Sequence, residues 1–210
     1  MVKEFNILIT GVGGQGVILI SELLGRAAVT DKLRVRGSEI LGMAVRGGSV
    51  TSAIRIGEDV YGPLIPTGKC NALVGMEPSE ALRNIACLSK SSIVLVNTAI
   101  TAPFTVFIGE SKYPSPEEIL SQLGKASSRI VQLDAAKTAQ DAGSRLATNI
   151  VMLGALFGTE QLPIKIETIK ETIRERFPAK LAPVNIKAFD LGYEVCRQAV
   201  KQSGGWKLLE

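Results

Sequence analysis

The chain has no histidine among its 210 residues. That removes the side chain that most often acts as a general base at neutral pH and most often ligates a metal. Cysteine is almost as scarce. Cys70, Cys87 and Cys196 stand far apart and form no C-x-x-C pair. Neither a cysteine-rich iron–sulfur cluster nor a conventional zinc site is therefore expected on this chain. Any redox centre would belong to a partner or to a bound organic cofactor. Aromatics make up only 5%, and the net charge of +4 comes from dispersed Lys and Arg. Nucleic-acid binders usually show a basic stripe with stacking aromatics, so that class is excluded. No apolar run reaches bilayer length, and no charged-then-apolar leader opens the chain. A soluble, cytoplasmic protein is the expectation.

What is present is aliphatic and rich in glycine: 46% hydrophobic residues and 21 glycines. This supports one sizeable core. One domain over residues 1–210 is expected, an alternating α/β core at 1–143 followed by a helical part at 144–210. Strand-like runs fall at 5–10, 33–37, 49–56, 72–75, 92–96 and 130–133, with a further edge strand at 105–108. Helical spacing marks 15–30, 79–88, 116–123, 134–140 (capped by Asp134), 144–157, 166–177 and 185–201. Glu39–Val45 reads as a short turn with helical character. The fold class is α/β: a Rossmann-like three-layer sandwich with a mostly parallel sheet and a C-terminal helical arm.

Two glycine loops carry most of the chemistry. Gly11, Gly13 and Gly16 satisfy G-x-G-x-x-G between a strand and a helix, with Gly14 and Gln15 inside the turn. Such a loop gives a tight turn, room for close backbone approach and amide donors at a helix start. An acidic residue closing the second strand would complete a dinucleotide site. Arg36 stands there instead, with Glu39 after it, which leaves an NADP-type reading open. The second loop, Arg46-Gly47-Gly48-Ser49, can aim amides into a nest beside a guanidinium. Carboxylate, phosphate and diphosphate all fit that description, and so does a merely tightened surface loop.

In combination these segments resemble a known family. The runs Gly11–Gly16, Glu39–Val50, Pro63–Pro66 and Gly75-Met-Glu-Pro-Ser-Glu-Ala-Leu-Arg83, followed by Asn97-Thr98 and Asn149–Ala155, are similar to the gamma domain of 2-oxoacid:ferredoxin oxidoreductases. The similarity is greatest to the beta subunit of the indolepyruvate type. The resemblance implies a subunit that works with a large partner holding thiamine diphosphate, magnesium and iron–sulfur clusters. The 2-oxoacid is decarboxylated, CoA takes the acyl group, and ferredoxin takes the electrons. No catalytic residue is then expected on this chain alone. The Gly13–Gln15 turn and Met43–Ser49 would lie near the partner's active site, and self-association is expected when the chain is alone. Leu41 and Val45 depart from the histidine and glutamine usual in the family.

Each candidate has a plain structural reading beside the functional one. Arg46 would bind a substrate carboxylate or a CoA phosphate, or else stabilise its loop. Gln15 would reach a partner, or cap its own turn. Glu77, at a strand's carboxyl end, reads first as a helix-entry carboxylate and then as a site residue. Asn97 and Thr98 divide between turn chemistry and contact, while Met43 and Met76 read as packing residues. The rival to the subunit reading is an NAD(P)- or CoA-binding Rossmann protein acting alone.

Overall fold

The computed structural model describes residues 2–42, 44, 47–103, 106 and 108–204. Six strands form one sheet: β1 (Phe5–Val12), β2 (Val35–Leu41), β3 (Ser49–Ile56), β4 (Cys70–Gly75), β5 (Leu88–Asn97) and β6 (Arg129–Leu133). Their order is β2-β3-β1-β4-β5-β6. β1, β4, β5 and β6 are successive parallel neighbours. β3 pairs antiparallel with both β1 and β2. Within this sheet β3 alone is reversed, so the mostly parallel sheet is borne out.

The apolar runs are continuous because both faces of the sheet are covered. Ile7, Ile9, Ile54, Val74 and Leu95 face α1 (Val17–Thr30), α4 (Ala135–Ala142), α5 (Thr148–Gly158), α6 (Ile166–Arg176) and α7 (Ala182–Gln202). Leu8, Leu73, Val94 and Val96 face α2 (Pro78–Arg83) and α3 (Pro116–Ala126). This is the three-layer arrangement, and the C-terminal helices complete one layer. α5 is buried from Asn149 to Gly158, as expected of a helix apolar on all sides. Its glycines set its distance from α7: a Cβ on Gly154 would stand 2.0 Å from the Phe189 carbonyl oxygen. On the facing helix, a Cβ on Gly192 would stand 2.0 Å from the Val151 carbonyl oxygen.

The local signals hold at most element ends. Asp134 caps α4 by accepting from Lys137 N at 2.9 Å. Ser115 and Glu118 form a capping box at the start of α3. Four expectations are corrected. The second strand extends to Leu41, so Glu39–Leu41 is strand and not a helical turn. Pairing with β3 (Glu39 opposite Ser52, Leu41 opposite Val50) holds it extended. The helix expected at 79–88 ends at Arg83 and yields to a 3-10 turn at Ile85–Cys87. There the Asn84 side chain donates to Thr10 Oγ1 at 3.1 Å. The helix expected from Ser144 begins at Thr148, after a 3-10 turn at Arg145–Ala147. Of the edge strand expected at 105–108, Val106 is helical, Ile108 lies in a turn, and Thr105 and Phe107 lie outside the described residues.

Candidate functional site

The parallel strands β1, β4 and β5 end at one edge, where ligands of open α/β sheets gather. The structure brings Gly11–Gly16, Gly47–Ser49, Gly75–Glu77 and Asn97-Thr98 together along it. Met43, Val45 and Arg46 lie outside the described residues.

At the first loop, glycine is required twice by crowding. A Cβ on Gly11 would meet Gln15 Oε1 at 2.6 Å and Met76 Cβ at 2.8 Å. Gly16 has φ +80°, and a Cβ there would stand 2.3 Å from Asn149 Nδ2 on α5. Gly14, at φ +99°, has nothing within 4 Å of its Cβ position and is exposed. Gln15 folds back, its Oε1 accepting from Val12 N at 2.9 Å, while its Nε2 donates to Thr101 Oγ1 at 3.4 Å. The turn-capping reading of Gln15 is realised, and its amide nitrogen is engaged within the chain by Thr101.

The two loops close on each other. Gly13 N donates to Gly48 O at 2.8 Å, and Gly47 N donates to Gly13 O at 3.3 Å. Ser49 is turned inward, its hydroxyl donating to Glu80 Oε2 at 2.6 Å. Glu80 is buried and pairs with Arg83 Nε at 3.2 Å. The amides that a diphosphate cradle would offer at Gly13 and Gly47 are therefore already spent.

The dinucleotide reading meets a second obstacle. Arg36 sits near the start of β2, not at its end, because the strand continues to Leu41. At about 3.3 Å per residue this puts it about 17 Å from the glycine-loop edge. β3 also separates β2 from β1. Arg36 instead turns to the carbonyl of Val35, Nη1 donating at 3.1 Å. It is not placed to read a ribose phosphate at the first glycine loop.

Two expected contact residues prove buried and occupied. Asn97 donates from Nδ2 to Met76 O at 3.1 Å and accepts at Oδ1 from Ala135 N at 3.2 Å, tying β5 to β4 and α4. Glu77 is fully buried and caps α2, its Oε2 accepting from Glu80 N at 3.0 Å. Thr98 is exposed, with its N donating to Leu133 O at 3.0 Å. Met76 is core, as expected. Sequence reading missed Thr101 and Tyr113, which reach Gln15 and Glu77 from far along the chain, and no spacing announces them.

Beside the first loop lies a groove of about 480 Å³ lined by Gly13, Gly14, Val17, Leu41, Val50 and Arg176, among others. Leu41 is 62% exposed at its rim. A cavity of about 710 Å³ lies at the opposite edge, among Lys3, Asn6, Lys69 and Asn71, away from all the candidates. There Arg55 is satisfied by Asn6 Oδ1 at 2.9 Å, Glu4 Oε1 at 2.6 Å and the carbonyls of Gly62 and Leu64, both at 2.8 Å. That network pins the proline loop to the sheet.

The described residues do not fit a redox centre. No group of three Cys, Asp, Glu or His is placed to hold a metal. Burial pushes the Cys70 and Cys196 thiols up to about 12, which keeps them protonated and inert as ligands. No helix among the described residues is long and apolar enough to cross a membrane.

Fold and edge together define a Rossmann-like α/β protein whose glycine loops have closed on each other and whose described residues assemble no group of metal ligands. The particular family follows from comparison: the model of the pyruvate ferredoxin/flavodoxin oxidoreductase family matches residues 6–195, and the chain belongs to that family. It is 44% identical to indolepyruvate oxidoreductase subunit IorB of Archaeoglobus fulgidus, over 90% of this chain and 94% of that protein. It is 30% identical to the common gamma subunit of the pyruvate/ketoisovalerate oxidoreductases of Pyrococcus furiosus, over 88% and 92%. The crystal structure of the keto/oxoacid ferredoxin oxidoreductase gamma subunit from Geobacter sulfurreducens superposes with a TM-score of 0.66 at 26% identity, covering 92% of this chain and 99% of that one.

Proposed function

We propose that this chain, folded as one gamma-type domain over residues 1–210, is the small subunit of a cytoplasmic 2-oxoacid:ferredoxin oxidoreductase acting on an aryl pyruvate such as indolepyruvate. The observation that carries the reading is the identity of 44% to an indolepyruvate oxidoreductase subunit along nearly the full length of both chains, against 30% to a pyruvate/ketoisovalerate subunit. Thiamine diphosphate, magnesium and the iron–sulfur clusters belong to the large partner. There the 2-oxoacid loses carbon dioxide, its acyl group passes to CoA, and the electrons leave for ferredoxin.

This chain contributes surface. The Gly13–Gln15 turn, Met43, Arg46 and Gly47-Gly48 are the segments assigned to the partner, and Arg46 is assigned to a substrate carboxylate or a CoA phosphate. Gly14 supports the assignment, being an exposed glycine with open space beside it. Apolar side chains left exposed at Ile40, Leu41 and Ile100 add surface that water does not favour. The test is a comparison of kcat/KM for indolepyruvate and pyruvate on the purified complex with ferredoxin as acceptor. A preference for indolepyruvate of at least tenfold is expected. Equal rates, or a preference for pyruvate, would remove the aryl assignment.

A further inference from the structure

Two stretches that follow β5, residues 98–103 and 108–115, return to a single carboxylate. Oε1 of Glu77 accepts from the Tyr113 hydroxyl at 2.5 Å and from Thr101 N at 3.4 Å. Oε2 accepts from Ser79 Oγ at 2.6 Å and Glu80 N at 3.0 Å. A carboxylate offers about four lone-pair sites, and all are taken, so Glu77 has nothing left for a substrate. The bonds to Ser79 and Glu80 are ordinary helix capping and need only one oxygen. The other oxygen reaches 24 and 36 residues along the chain. Thr101, held at its amide by Glu77, also takes the outward bond from Gln15.

We propose that Glu77 is a positioning residue: through Thr101 and Tyr113 it fixes residues 98–103 and 108–115 beside the Gln15 turn, and so shapes the face that meets the cofactor-bearing subunit. The proposal rests on the subunit reading given above. It goes beyond that reading in assigning the geometry of the face to one buried carboxylate. Burial and the neighbouring carboxylate push the Tyr113 phenol up from its ordinary value, so it remains a donor throughout the working pH range.

Two variants break the same bond from opposite sides. Tyr113→Phe deletes the donor and leaves the helix cap intact. Glu77→Asp keeps a good capping residue but is one methylene too short to reach Tyr113. Three quantities decide: amide hydrogen exchange of residues 98–103 and 108–115 in the isolated chain, the Kd for the large subunit, and the urea midpoint. Both variants are expected to raise exchange in those residues at least tenfold and to weaken partner binding about tenfold. The urea midpoint of Tyr113→Phe should fall modestly, because the lost donor leaves the buried Glu77 oxygen with only the longer bond from Thr101 N. The double variant should be no worse than Glu77→Asp alone, because that variant has already lost the Tyr113 bond. Unchanged exchange and unchanged Kd would overturn the proposal. So would a lowered midpoint with unchanged Kd, since the bond would then serve stability alone. If the wild-type chain bound no large subunit, the subunit reading would fall, and the exchange measurement would decide the clasp alone.

Discussion

Gly16 and Gly14 lie two residues apart in one loop, both with positive φ, yet they face different surroundings. At Gly16 an added methyl meets Asn149 on α5 as well as backbone strain; at Gly14 it meets only the strain. Gly16→Ala should therefore cost about 3 kcal/mol in urea unfolding, and Gly14→Ala about 1 kcal/mol. Equal costs would show that the Asn149 contact does not set the loop. The thiols give a second contrast. Cys70 and Cys196 are buried with pKa values near 12, while Cys87 is only half-buried, though burial raises its thiol as well. An alkylating reagent at pH 8 should modify Cys87 first, with the other two reacting only on unfolding; mass spectrometry of a time course would show the order. The glycine positions were legible because crowding and positive φ leave a mark in sequence. The occupation of Glu77 was not, because its partners lie 24 and 36 residues away and no periodicity links them.

Helix α5 shows how packing decides between elements. It was legible as a helix from its apolar residues alone. That it is covered on all sides was not, because the covering helix α7 depends on Gly154 and Gly192 at the crossing. Gly154→Ala should force the two helices apart and cost about 3 kcal/mol or more. Gly25→Ala in α1, where a Cβ meets nothing within 4 Å, should gain up to about 1 kcal/mol. Thermal unfolding of the pair would show opposite shifts. β2 was legible as a strand but its extent was not, for a related reason: its pairing with β3, and not its composition, extends it to Leu41 and carries Arg36 away from the loop edge. At the other edge, hydrogen bonding by Asn6, together with Arg55, holds the Glu4 carboxyl below its ordinary value. Its folded pKa is lowered, so its contribution is present above the ordinary carboxylate range and is lost as pH falls through the lowered value. Urea midpoints measured from pH 6 down to pH 3 should fall less steeply for Glu4→Gln than for wild type.

For the whole molecule, the absence of histidine and of paired cysteines led to the expectation that a redox centre belongs to a partner, and the family resemblance supplied the kind of partner to expect. The sheet order adds what sequence could not. A reversed strand separates β2 from β1, and the two glycine loops bond to each other where a nucleotide would have lain. What remains is an α/β body with a shaped edge and, among the described residues, no group of side chains placed to hold a metal. Its central claim is that it acts only as part of an assembly. The most direct measurement is reconstitution: the purified large subunit is held fixed, this chain is titrated in, and ferredoxin reduction with indolepyruvate and CoA is followed. The account predicts negligible rate from either chain alone and a rate that rises and saturates at a fixed ratio of the two. Turnover by this chain alone, or a large-subunit rate unchanged by its addition, would contradict it.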